Sequence, residues 1–144
     1  MVNEDTLNLL RECSSGAKMA VSSIDEVSGH VTNKNLRSLL AKSRQTHEAL
    51  SGEIHQLLMK YHTTEKEPAA MAKGMSWLKT NMTMLVDESD AAIAGLMTDG
   101  CGMGIKALYQ YFNQYTEADA ASQALCRRLA AEEEDLMQKL RTYL

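Results

Sequence analysis

Proline is almost missing from this chain: Pro68 is the only one in 144 residues. Gly-Pro and Asn-Gly pairs are absent as well, so the turn signals that many-stranded domains require are not there. Basic residues are too few for a phosphate-binding surface. Fifteen Lys and Arg against nineteen Asp and Glu leave a net charge of -4, with no basic stripe, which argues against nucleic acid as a partner. No apolar run approaches the roughly 18 residues of a membrane span, and Met1-Val2-Asn3-Glu4-Asp5 lacks the apolar stretch of a signal peptide. The expectation is a cytoplasmic protein without membrane contact. The three cysteines, Cys13, Cys101 and Cys126, are odd in number, far apart and free of any Cys-x-x-Cys spacing, which suits reduced, buried thiols.

Catalytic signatures are missing too. His47-Glu48-Ala49-Leu50-Ser51 falls short of the zinc-protease pattern because Ser51 replaces the second histidine. Gly100, Gly102 and Gly104 do not make a phosphate loop, since no strand precedes them and no Gly-Lys-Ser/Thr follows. No serine or cysteine stands in an activating pattern, and the expectation is a noncatalytic protein.

What remains is helical periodicity at ordinary globular composition, with 44% hydrophobic and 24% charged residues. A chain of this length forms one domain, 1–144, and buries roughly two thirds of its unfolded surface. The first helix is read over about 4–30, capped by Asn3, with Leu10, Cys13, Ala17, Ala20, Ile24 and Val27 on one face. After a turn at Val31-Thr32-Asn33, the second covers about 33–61. Its seam is Leu36, Leu40, Ser43, His47, Leu50, Ile54, Leu57 and Tyr61, a coiled-coil-like spacing. A break at 62–68 leads to a short helix over 68–85, opened by Pro68 and striped by Met71, Met75, Leu78, Met82 and Leu85. Two more long helices follow over 87–115 and 117–143, the last opened by Thr116-x-x-Asp119.

An internal echo ties the two halves together. Ser14-Ser15-Gly16-Ala17-Lys18-Met19-Ala20-Val21 returns 84 positions later as Thr98-Asp99-Gly100-Cys101-Gly102-Met103-Gly104-Ile105. Two related helix pairs of matched length, joined by a connector that must travel back over about 40 Å, give the expected fold. It is all-α, a ferritin-like four-helix bundle with one long crossover connection containing a short helix. The alternative is a continuous helix from Pro68 to Met97 that stops at Gly100. The echo with Gly16 favours Gly100–Gly104 inside a helix over a loop.

Glu12-Cys13-Ser14-Ser15-Gly16, Leu36 to Leu58, Gly100 to Lys106 and the phrase Ala72-Lys73-Gly74-Met75-Ser76-Trp77-Leu78-Lys79-Thr80 resemble a bacterial family of uncharacterised ferritin-like bundles, a domain of unknown function. The resemblance implies a fold. Ferritin-like proteins of the wider group bind two metals through a Glu on each of two helices and a Glu-x-x-His on each of the others, and this chain contains no Glu-x-x-His.

One pairing survives. His47 lies on the seam of the second helix, and Glu133 continues the stripe of Leu129, Leu136, Leu140 and Tyr143 on the last. Facing each other, they would form a charge-assisted hydrogen bond that sets helix register. With Glu48 they are also the candidate ligands of an atypical iron or manganese site, with water or a neighbouring chain completing the sphere. Glu132 fits the stripe nearly as well as Glu133. Cys13, Met19, Met97, Cys101 and Met103 could gather as soft ligands, although buried packing around small residues in close-set helices is the simpler reading. Tyr109 with Phe112 and Tyr111 with Tyr115 mark two faces of one helix, one of them for the core. The other, or Trp77, could serve self-association. The functional expectation is a bundle acting through self-association or a protein partner, with no cofactor; the alternative is iron or manganese binding.

Overall fold

The computed structural model describes residues 2–63 and 69–144. The described residues form α1 (Glu4–Ser28), α2 (Lys34–Lys60), α3 (Ala69–Thr83), α4 (Asp90–Gln114) and α5 (Ala120–Leu140), followed by a short 3₁₀ turn, Arg141–Tyr143. No strand occurs among them. Caps define most helix starts: Asn3 accepts from the Thr6 amide, Asn33 from Asn35 and Leu36, Ser89 from Ala92, and Asp119 from Ser122. Thr116 therefore does not open the last helix. Asp119, the residue expected at the far side of its capping box, is the cap itself.

The expected opening of α3 by Pro68 lies outside the described residues. At its other end the helix stops at Thr83, and 84–89 separate it from α4, which removes the continuous Pro68–Met97 alternative. Gly100–Gly104 lies within α4.

Hydrogen bonds at the two ends give the chain its course. At one end Asp90, opening α4, accepts from the Thr32 amide (2.8 Å), the Thr32 hydroxyl (2.8 Å) and the Asn33 amide (2.9 Å) of the α1–α2 turn. At the other, Asn3 donates to the Glu117 carbonyl (2.7 Å), the Glu117 amide to Asp5 (2.9 Å), and the Asp119 amide to Thr6 (2.9 Å). The Tyr61 hydroxyl, just past α2, donates to Asp119 at 2.9 Å. Consequently α1–α2 and α4–α5 are antiparallel pairs, α2 and α4 point the same way, and Tyr61 and Asp90 lie at opposite ends of the bundle. Between them in the chain, α3 packs against α1 and α4.

Two apolar clusters fill the interior. One contains Leu9, Leu10, Cys13, Ala17, Leu50, Ile54, Leu58, Leu108 and Leu125; the other contains Ile24, Val27, Leu36, Leu40, Leu78, Ile93, Leu136 and Leu140. Past Ile54 the fully buried residue of α2 is Leu58, with the expected Leu57 and Tyr61 partly buried beside it, because a helix of 3.6 residues per turn drifts away from a 3.5-residue seam. On α2 and α5 the buried residues between the clusters are Ser43, His47 and Glu133.

Candidate functional site

His47 reaches this level because its position continues the apolar seam, so the helix turns its ring inward with no exposed surface at all. Its Nε2 lies 2.9 Å from Glu133 Oε1, and its Nδ1 lies 2.8 Å from the Ser43 carbonyl one turn earlier. Both partners are acceptors, so the geometry asks both ring nitrogens to donate. That describes an imidazolium whose charge is met by the Glu133 carboxylate. Burial works against the charged ring, but the Glu133 hydrogen bond and charge, the Ser43 carbonyl and nearby Glu132 together raise its pKa. Ser43 completes the group by donating to Glu132 at 3.0 Å. Burial raises the Glu132 pKa despite that bond. The seam position thus belongs to Glu133, while Glu132 sits half-buried beside it.

Glu48 lies elsewhere. Its exposed side chain takes Arg44 at 3.0 Å on the outer face of α2, where Arg44 also binds Asp25 at 2.6 Å. The structure therefore brings together two of the three candidate ligands. Among the described residues no three His, Cys, Asp or Glu side chains are grouped to hold a metal ion.

The echoed segments meet at the same level, with a different consequence from the close packing expected of them. Around Gly16 and Ala20 of α1 and Gly100, Gly104 and Ala107 of α4, the missing side chains leave a partly open cavity of about 470 Å³, lined on its outer side by Lys73, Gly74, Trp77 and Leu78 of α3. A β-carbon on Gly16 would stand 3.7 Å from Leu129, and one on Gly100 would stand 3.9 Å from Trp77, so neither glycine is demanded by backbone contact. Gly74 of α3 is the tightest of the glycines: a β-carbon there would collide with the flexible end of the Met19 side chain, which would have to move aside. Met19, Met97, Cys101 and Met103 line the cavity, whereas Cys13 contacts Cys126 in the apolar cluster below. Burial and the Glu133 carboxylate push the Cys101 thiol well up, so it stays protonated.

Trp77, expected as a surface feature, lines this cavity too. Of the tyrosines, Tyr111 and Tyr115 stack with centroids 6.3 Å apart, and Tyr109 is 45% exposed. Phe112, three residues on in α4, is half-buried beneath the Arg127 guanidinium at 4.8 Å. The sequence reading missed the cavity. Its signal was present in the paired small residues of the echo, but close packing and an unfilled space share that signature.

These features define an all-helical bundle with a polar pair at mid-height and an apolar cavity beside it. Two solved structures have this fold. One is a DUF305 fragment from Deinococcus radiodurans, 11% identical, with 98% of this chain and 95% of that chain covered at a TM-score of 0.76. The other is YcfI from Rhodopseudomonas palustris, provisionally a structural protein, 16% identical over 96% of this chain and 92% of that chain at a TM-score of 0.74. No protein-family model matches the chain, and no curated protein matches it. At these identities the likeness is one of fold. Among the described residues no helix is long and apolar enough to cross a membrane.

Proposed function

We propose that the protein is a noncatalytic, ferritin-like bundle whose role is to bind a small apolar molecule in the cavity between α1, α3 and α4. The observation behind this reading is the cavity itself. Its volume falls within the range of small-molecule sites, and its walls are chiefly apolar and methionine-rich, which suits an adaptable pocket. The His47–Glu133 pair then serves register, not chemistry, since both ring nitrogens are already taken by protein acceptors.

Iron or manganese binding by His47, Glu48 and Glu133 is the second reading, supported by the 2.9 Å contact of His47 with Glu133. Against it stand the engagement of both His47 nitrogens and the Arg44 bond of Glu48. Self-association, through exposed Met103 and Tyr109 of α4, would add to the binding role and is checked by sedimentation.

The direct test is titration with the neutral fluorophore N-phenyl-1-naphthylamine. Saturable one-to-one binding that is lost in Gly100→Leu, whose side chain would fill the space before Trp77, is the expected result. Absence of saturable binding, or equal binding in the filled variant, overturns the reading.

A further inference from the structure

We infer that the cavity selects a neutral apolar molecule carrying a hydroxyl or N–H donor, and that Glu133 is the group that receives it. This rests on the cavity being a binding site and adds its chemistry.

Glu133 has two oxygens with different surroundings. Oε1 accepts from His47 at 2.9 Å. Oε2 is on the Gly104 side, 3.8 Å from the place a β-carbon on Gly104 would occupy. Gly104 and Glu133 both line the cavity, and Glu133 is 8% exposed, so a carboxylate borders a chiefly apolar space. The protein supplies Cys101 as its neighbour there, and a thiol is a weak donor. A buried carboxylate oxygen with only a thiol beside it favours a stronger donor.

Charge selects further. An ammonium head would have to shed its hydration in a chiefly apolar space, with Glu133 already offset by His47 and half-buried Glu132 already engaged by Ser43. An anionic head would meet Glu133 with Glu132 close behind. At the rim Glu12 and Lys73 contribute one charge of each sign. A neutral donor remains: an aliphatic alcohol is the simplest member of the class.

The arrangement carries its own reporter, because Trp77 is the only tryptophan and lines the cavity. Decan-1-ol, its isomer 1-methoxynonane and decanoate are compared by Trp77 emission and by displacement of N-phenyl-1-naphthylamine. The alcohol should bind about tenfold more tightly than the ether, the value of a hydrogen bond to a charged acceptor. Decanoate should bind more weakly than either. In Gly104→Ala, whose new methyl would cover the carboxylate while meeting it only at ordinary contact distance, the alcohol should lose its advantage while the ether still binds. Glu133 is unchanged in that variant, so loss of the fold does not enter. Equal affinities for alcohol and ether in the unaltered protein, or tighter binding of decanoate, overturn this inference and leave the cavity reading standing. Failure of all three ligands and of the fluorophore overturns both.

Discussion

His47 Nε2 stands 2.9 Å from Glu133 Oε1 across 86 residues of chain, at the level where one apolar cluster ends and the other begins. His47 is wholly enclosed, so its ring has no water to replace its partner, and Glu133, 8% exposed, is open only on the cavity side. Truncation therefore costs more than the pair contributes. His47→Ala should destabilise the protein by roughly 3–5 kcal/mol, because a buried carboxylate is left alone. The double variant His47→Leu/Glu133→Leu should recover most of that loss. Urea denaturation of the single and double variants, with and without added manganese, measures both effects; the register role predicts no dependence on the metal.

The same pair gives stability a direction with pH. The folded-state pKa of His47 is raised above its ordinary 6.5, so the native state holds a proton that the unfolded chain has released. The pair's stabilisation is complete below about pH 6.5 and is lost as pH rises through the raised folded value. Glu132, also raised, adds a decline in the same direction, beginning nearer its ordinary 4.5. Denaturation midpoints measured across neutral pH should fall with rising pH, and His47→Gln should flatten the slope in that window.

Gly74 of α3 and Gly102 of α4 should respond differently to an added methyl group. Gly102 is exposed within α4 and a β-carbon there meets nothing within 4 Å. Gly102→Ala should raise stability by up to about 1 kcal/mol through helix propensity alone. Gly74→Ala should give less than this or reverse it, since the methyl group displaces Met19 from the α1–α3 contact. Thermal melting of the two variants side by side decides the matter.

All three thiols should be nearly inert in the folded protein. Cys13, Cys101 and Cys126 are 0%, 3% and 2% exposed, and the pKa values of Cys13 and Cys101 are raised, the first by its contact with Cys126 and by burial, the second by burial and Glu133. A disulfide reagent of Ellman's type should titrate three thiols in denaturant and react only slowly without it. Rapid native labelling would show that the cavity opens widely enough to admit the reagent to Cys101.

The long helices and the polar pair could be read from periodicity because burial follows from position: an inward-facing histidine remains inward-facing. Glu133 could be matched to His47 by its place in a leucine stripe, although Glu132 competed until the helix phase was known. Other features depend on distances that no single segment encodes. Asp90 holding the α1–α2 turn and Asp119 taking the Tyr61 hydroxyl are contacts of ordinary polar residues whose partners lie on other elements. The cavity was the least legible, since a glycine facing another helix permits either contact or space. Which of these occurs at the echo depends on where α3 lies.

The end contacts and the central pair have a joint consequence for how helices could slide. Moving α5 along its axis by one turn, about 5.4 Å, would separate Asp119 from Thr6 and Tyr61, Glu133 from His47, and Arg128 from Glu53 together. Leucine stripes alone tolerate such a slip, because one leucine replaces another; an arrangement keyed at three heights does not. The bundle therefore has a single alignment of its rods, and a molecule entering between α1, α3 and α4 meets the same walls each time.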